Sequence, residues 1–340
     1  MTNTPFSNAQ VKQVFFLIFI SFLAILLFNN LREFLPAVLG AITIYILTRN
    51  VYRYLTLKRK WPAGLTATLI IVAALLIIVL PVSLLINMLT AKAGAALSNK
   101  TELIEGINTI AQKIKEYTNY DILNGETVAK LQNMGSTIVP QLFGATFNTL
   151  TVTAILFFIL YFMLVQGSYM EDMIYQYLPL RKENVKRMSK EVNNMVVSNA
   201  IGIPVIAILQ SIVALLGYFI FGVNDPFFWF VITCFTALIP VIGSTIVWLP
   251  LAVQLLVVGS QWQGIGLMVW GVVAVGAADN VFRILLTKKI GDTHPLITIF
   301  GVIVGVKIFG FIGLIFGPLL ITMFLLLLRI YRNEYFNVKP

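Results

Sequence analysis

Apolar and polar positions along this chain fall into long blocks. Eight blocks are apolar: Val11–Phe28, Leu35–Thr48, Pro62–Leu89, Ala145–Val165, Ile201–Phe221, Phe227–Val258, Gly264–Leu286 and Leu296–Leu328. A helix needs about 20 apolar residues to cross a ~30 Å hydrocarbon core, so these blocks read as membrane spans; the second is short and carries Pro36. Residues 90–144 are polar, with five lysines against five acids. Leu103, Ile107, Ile110 and Ile114 recur there at helical spacing, and Asn124 is suited to cap a second helix bearing Val128, Leu131 and Ile138. In the polar stretch 167–200, Val185, Met188, Val192 and Met195 mark another amphipathic helix.

Two blocks are longer than a span. Phe227–Val258 and Leu296–Leu328 would each reach about 50 Å as straight helices at ~1.5 Å per residue. Each is interrupted near its middle, by Pro240-Val-Ile-Gly-Ser in the first and Gly305-Val-Lys-Ile-Phe-Gly in the second. Each is either a long tilted helix or a re-entrant hairpin, and charge decides between them, because cytoplasmic loops concentrate Lys and Arg. With the N-terminus inside and both blocks folded back as hairpins, seventeen of the 24 basic residues lie on the cytoplasmic side. They fall before residue 14, in 49–60, 181–190 and 283–289, and after 328. A single crossing by 227–258 would put Lys288 and Lys289 outside. The hairpin reading is therefore preferred.

The predicted fold is an all-α integral membrane protein with about five to six full transmembrane helices and two re-entrant hairpins. Span 201–221 with hairpin 227–258 mirrors span 264–286 with hairpin 296–328, an inverted repeat of the kind that builds many secondary transporters. The expected layout is scaffold helices in 1–89, an extracytoplasmic helical region in 90–144 and a span in 145–166. A cytoplasmic amphipathic helix in 167–200, a transport region in 201–328 (repeats 201–258 and 264–328) and a cytoplasmic tail in 329–340 complete it. Both termini are expected in the cytoplasm.

Composition sharpens this picture. Of 340 residues, 59% are hydrophobic and 11% charged, with mean hydropathy +0.90; a soluble domain carries about a quarter charged residues. The net charge of +10 follows from the loop bias, so no nucleic acid partner is expected. Cys234 stands alone, which excludes an intrachain disulfide. The apolar run Val14–Phe28 has no small-residue cleavage site and reads as a retained span rather than a signal peptide. No Walker sequence, metal-ligand cluster, HExxH or nucleophile elbow occurs. No cofactor, metal or enzymatic activity is expected, and ATP-driven pumping by this chain alone is disfavoured.

Candidate chemistry gathers at the two interruptions, since backbone freed from helix at membrane depth must be buried in protein or line a cavity. In ALIPVIGSTIVW (237–248), Pro240 removes a helix hydrogen bond and Gly243 permits a sharp turn. Ser244 and Thr245 offer hydroxyls. The stretch is either a proline kink with back-bonded hydroxyls or a gating, ligand-contacting tip. In AADNVFRILLTKK (277–289), Asp279 and Arg283 share a helix face and can pair. Alternatively Asp279, with Asn280, binds solute or a coupling ion. Lys307 is the only charge between Leu296 and Leu328; it either faces Asp279 or a ligand across the repeat interface, or snorkels as a structural charge. Gly305 and Gly310 flank it as candidate hinge positions, and Gly301-x-x-x-Gly305 and Gly313-x-x-x-Gly317 allow close helix approach. His294, before Pro295, reads as a boundary cap. The expected partners are the bilayer and a small polar solute or a cation.

The segment ALIPVIGS, the Asp279-Asn280 pair and HPLITIFGVIVGVKIFGFIGLIFGPLL (294–320), set on this span layout, resemble the AI-2E (autoinducer-2 exporter) family of bacterial membrane proteins. The resemblance covers most of the chain. It implies export of the polyhydroxylated signal autoinducer-2 across the inner membrane, with sodium(lithium)/proton antiport as the alternative seen in some members. It also implies a homo-oligomer, a pentamer, in which the hairpin-bearing part moves against a scaffold. A non-transporting scaffold that recruits partners through its polar regions is the remaining alternative.

Overall fold

The computed structural model describes residues 8–98, 146–177, 182–239, 242–258, 260–282, 295–309 and 313–335, and every element in them is helical. The amphipathic helices expected within 103–138 lie outside those residues, as do Pro240, Arg283, His294 and Gly310. Four described helical stretches are long and apolar enough to cross a membrane, or five if one sharply bent pair counts as a span. The chain is thus an all-α, multi-pass membrane protein.

Helices α1 (Asn8–Leu31) and α2 (Leu35–Arg53) are joined by a 3-10 turn, Arg32–Phe34. The sequence predicts two separate spans here. The structure instead forms one helical stretch from Lys12 to Lys58, because Leu31, Phe34 and Leu35 all keep right-handed helical angles. Pro36 does not break it: as the second residue of α2 it lacks only an N–H that would have no intrahelical partner there. Residues 12 to 31 of α1 are all exposed. Helix α3 (Ala63–Ser98) runs beyond the apolar block, since the alanine-rich Ala91–Ala96 stretch favours helix. Helix α4 (Thr146–Val165) turns 85° into α5 (Gly167–Tyr177). Gly167 makes the corner possible, because a side chain there would collide with the Tyr45 ring. Ala41, Tyr45, Ala67, Ile70, Leu160 and Leu164 form the core that joins α2, α3 and α4.

Helix α6 (Lys182–Val197) passes through a π-helical turn, Ser198–Gly202, into α7 (Ile203–Ile220). After Asp225 come α8 (Pro226–Thr236), α9 (Thr245–Val258) and α10 (Gln261–Trp270). The last continues through another π turn, Gly271–Val275, to Phe282. Helix α8 runs back along α7: the Phe219 and Phe227 rings meet edge-on at 5.4 Å, and the Tyr218 and Thr233 hydroxyls lie 2.9 Å apart. Helix α10 runs back along α9, with Gly264 against Leu256 and Gly271 against Trp248. The start of α10 lies at the same end as the end of α7, since Gly222 abuts Gln263 and Gly266 abuts Phe221. The segment α8–α9 therefore leaves and returns at one end of the molecule, as a re-entrant hairpin must.

The second hairpin comprises α11 (Pro295–Phe309) and α12 (Gly313–Tyr335). Gly305 faces Gly313 and Gly317, while Gly301 faces Gly317 and Pro318. Four residues back along α11 match four forward along α12, which fixes an antiparallel register. A Cβ on Gly301 would come within 2.6 Å of the Pro318 Cα, so glycine is what lets the two backbones touch. Phe309, Phe316 and Leu319 seat this hairpin on Val196 of α6, with Leu35 and Leu39 of α2 alongside. Lipid is as apolar as leucine, so within the membrane such contacts stabilise by close packing rather than by excluding water.

Candidate solute site at the first hairpin tip

The tip of the first hairpin is built around three buried polar side chains, Gln210, Ser211 and Ser244. Gln210 donates its Nε2 proton to the Ser244 hydroxyl at 3.0 Å. This bond sets the depth of the tip. Gln210 lies ten residues from the end of α7, about 15 Å along the helix at ~1.5 Å per residue, half of a ~30 Å core. Ser244 also caps α9, its carbonyl accepting from the N–H groups of Val247 and Trp248 at 3.1 Å each. Its hydroxyl is thus turned away from its own helix and toward α7.

Gly243 shapes the turn. Its N–H bonds the Ile239 carbonyl at 3.1 Å, and a side chain on it would strike the Thr236 and Ile239 carbonyl oxygens. Thr245, the first residue of α9, is half-buried. Ser211 donates to the Ala207 carbonyl at 2.7 Å and lies beside the half-buried Cys234 of α8. Below the tip, Trp248 packs against Gly271 of the π turn, and π turns recur at functional sites because they displace helix carbonyls from their usual partners. Trp270, just before that turn, donates its indole N–H to the Val213 carbonyl of α7 at 2.9 Å. The hairpin, α7 and the second span are therefore joined by polar contacts at mid-depth.

The other candidate residues occupy different places. Asp279 is half-buried one turn beyond the π segment, and Asn280 is exposed, its Nδ2 donating to the Gly276 carbonyl at 3.0 Å. Lys307 is exposed in the last turn of α11, where the helix dipole favours a cation. Among the described residues it makes no ion pair. Gly305 is buried within the α11–α12 glycine contact. The structure thus brings Gly243 and Ser244 together with Gln210, and does not join Lys307 to them. Gln210 and Ser211 escaped the sequence reading. Their signal was there, as the only amide and the only hydroxyl inside the otherwise apolar IPVIAILQSIVALL.

A second polar cluster braces the opposite end. Glu171 of α5 accepts hydrogen bonds from Tyr45 at 2.9 Å, Arg49 at 3.1 Å and Arg53 at 2.8 Å. Arg49 also donates to Asn193 of α6 at 2.8 Å. Glu171 lies beyond the corner that ends α4, outside the span. Burial alone would raise its carboxyl, but hydrogen bonds from Tyr45 and Arg53, with the charges of Arg53 and Arg49, outweigh this and hold it below the usual range.

A re-entrant tip at mid-depth, mirrored by a second hairpin, is the architecture of a membrane transporter. The family model for AI-2E family transporters matches residues 15–333. The chain belongs to that family. Among its relatives, a protein of Aquifex aeolicus provisionally named a transport protein is 30% identical over 176 residues, 52% of this chain and 50% of the relative. One from Mycobacterium tuberculosis, named in the same way, is 24% identical over 356 residues, covering 99% of this chain and 91% of the relative. The Escherichia coli protein YdiK, again provisionally a transport protein, is 32% identical over 124 residues, 36% of this chain and 33% of YdiK. The chain spans about half of the first relative and nearly all of the second. Membership of the AI-2E family supports a transport function.

Proposed function

We propose that this AI-2E family chain is a secondary transporter that exports a small polar metabolite, autoinducer-2 or a similar polyhydroxylated compound, across the bacterial inner membrane. The observation that carries the reading is the Gln210–Ser244 hydrogen bond at the re-entrant tip. It is a buried neutral donor–acceptor pair at mid-depth, suited to exchanging partners with a solute hydroxyl. Asp279 and Asn280, on the helix that passes the tip, are the further polar candidates for the passage; Arg283 and Lys307 are kept as candidate charges, and Pro240, Gly243, Gly305 and Gly310 as candidate gating positions, on the sequence pattern alone. The loop bias of Lys and Arg supports cytoplasmic termini, with the Asp225 end of the molecule outside. The fully exposed apolar surface of α1 supports contact with lipid and with further copies of the chain, in the homo-oligomer implied by the family.

The half-buried carboxyl of Asp279 supports one other reading, sodium(lithium)/proton antiport. The two separate in one preparation. Purified protein is reconstituted in vesicles loaded with autoinducer-2 and a pH-sensitive dye. Export predicts release of autoinducer-2 above the protein-free rate, with no proton movement when sodium or lithium is added. Cation-evoked proton movement that disappears in Asp279→Asn, without solute release, would replace export by antiport.

A further inference from the structure

At the Asp225 end, a cavity of 440 Å³ opens between α3, the α7–α8 turn, α9 and the start of α10. This volume falls within the ~300–1,000 Å³ of small-molecule sites. Lys92 reaches across from α3 to pair with Asp225, its ammonium 5.6 Å from the centre of the Phe228 ring. Asp225 holds this position in a left-handed conformation, φ 53° and ψ 55°, a region that aspartate enters more readily than most non-glycine residues. Gly222, at φ 68°, leaves room for the Gln263 amide, which would be 3.1 Å from a Cβ at that position.

Three side-chain amides line the same cavity, those of Asn224, Gln254 and Gln263. Among the described residues none of them is taken up by a hydrogen bond. Each offers a donor and an acceptor. Trp229 and Leu251 supply an apolar wall. The charges of Lys92 and Asp225 already satisfy each other, so an entering ion would have to part the pair, while an uncharged solute would not. Neutral amides beside an aromatic face match a compound with hydroxyls on its edges and C–H groups on its face.

We propose that this cavity is a binding site for a small uncharged polyhydroxylated solute, of furanose or pentitol size. Its role as an outer vestibule rests on the transport reading above; binding itself does not. Its lining, as far as the described residues go, includes neither Gln210 nor Ser244, so the site is separate from that pair.

The test uses the full chain in lipid nanodiscs, titrated calorimetrically with D-ribose, xylitol and glycerol, and with sodium gluconate and L-lysine as charged controls. At least one neutral polyol is expected to bind saturably, with tenfold or greater weakening in both Gln254→Leu and Gln263→Leu. Both variants should keep the wild-type melting temperature, since each amide sits at the cavity lining; Gln254→Glu, of nearly equal shape, provides a second probe of the same amide if the leucine variant melts early. No saturable binding by any of the three polyols overturns the proposal, as does equal binding by the charged controls or undiminished binding in both glutamine variants. Intact polyol binding in a protein that moves no solute would sink the transport reading and leave the site standing.

Discussion

Gln210 and Ser244 are each buried and each other's partner, so the two positions are expected to be energetically coupled. Removing one partner strands the other, at a cost of about 1–3 kcal/mol for a buried unsatisfied polar group. Ser244→Ala should therefore lower stability in mixed-micelle unfolding by that amount, and Gln210→Leu with Ser244→Ala should recover part of the loss. Strictly additive losses would mean that the bond contributes nothing. Gly243 makes a different demand. Any side chain there meets two carbonyl oxygens of the turn, so Gly243→Ala is expected to distort the tip and cost more than Ser244→Ala in the same measurement. Lys307 is the contrasting case: exposed, in the last turn of α11 and without an ion pair among the described residues, its replacement by alanine should leave the melting temperature within about 2 °C of wild type, the small shift expected when a chain of this size loses no packed contact.

At the scale of elements, the glycine-lined contact between α11 and α12 is what holds the second hairpin closed. Gly305→Val should force the backbones apart, an overpacking cost of about 1–3 kcal/mol or more, read as a lower melting temperature. The brace at Glu171 gives a pH signature. Its carboxyl is held below the ordinary ~4.3, so the stabilisation is complete above that value and is lost as pH falls through the lower folded-state value. Thermal stability should decline in that acid window, and Glu171→Gln should be less stable at neutral pH and show a flatter acid limb. Much of the element plan was legible in the sequence. The over-long blocks with central interruptions gave both hairpins, because a helix longer than the bilayer must tilt or turn back. The GxxxG spacings marked the faces of α11 and α12 that touch. The brace was not legible, since it joins Arg53 to a residue 118 positions later and no local period encodes such a pairing. Nor was the continuity of α1 and α2, because the polar Asn29–Glu33 stretch looks like a loop, yet its residues tolerate helical angles and nothing there forces a reversal. Gln210 was visible as a polar interruption in α7, but only the folded hairpin supplies the partner that gives it meaning.

For the whole molecule, the central claim is that solute passes at the first hairpin tip. The π turn beside Trp248 and the Gln210–Ser244 bond couple that tip to both spans of the repeat, so a change at the tip should alter flux without unfolding the protein. The most direct measurement is the release of autoinducer-2 from proteoliposomes carrying wild-type protein or Ser244→Val, with both proteins checked for equal insertion and retained fold. Release well above the protein-free rate for wild type, reduced at least tenfold in Ser244→Val, is the result this account predicts. Equal release from wild-type and variant vesicles, or no release from either, would contradict it.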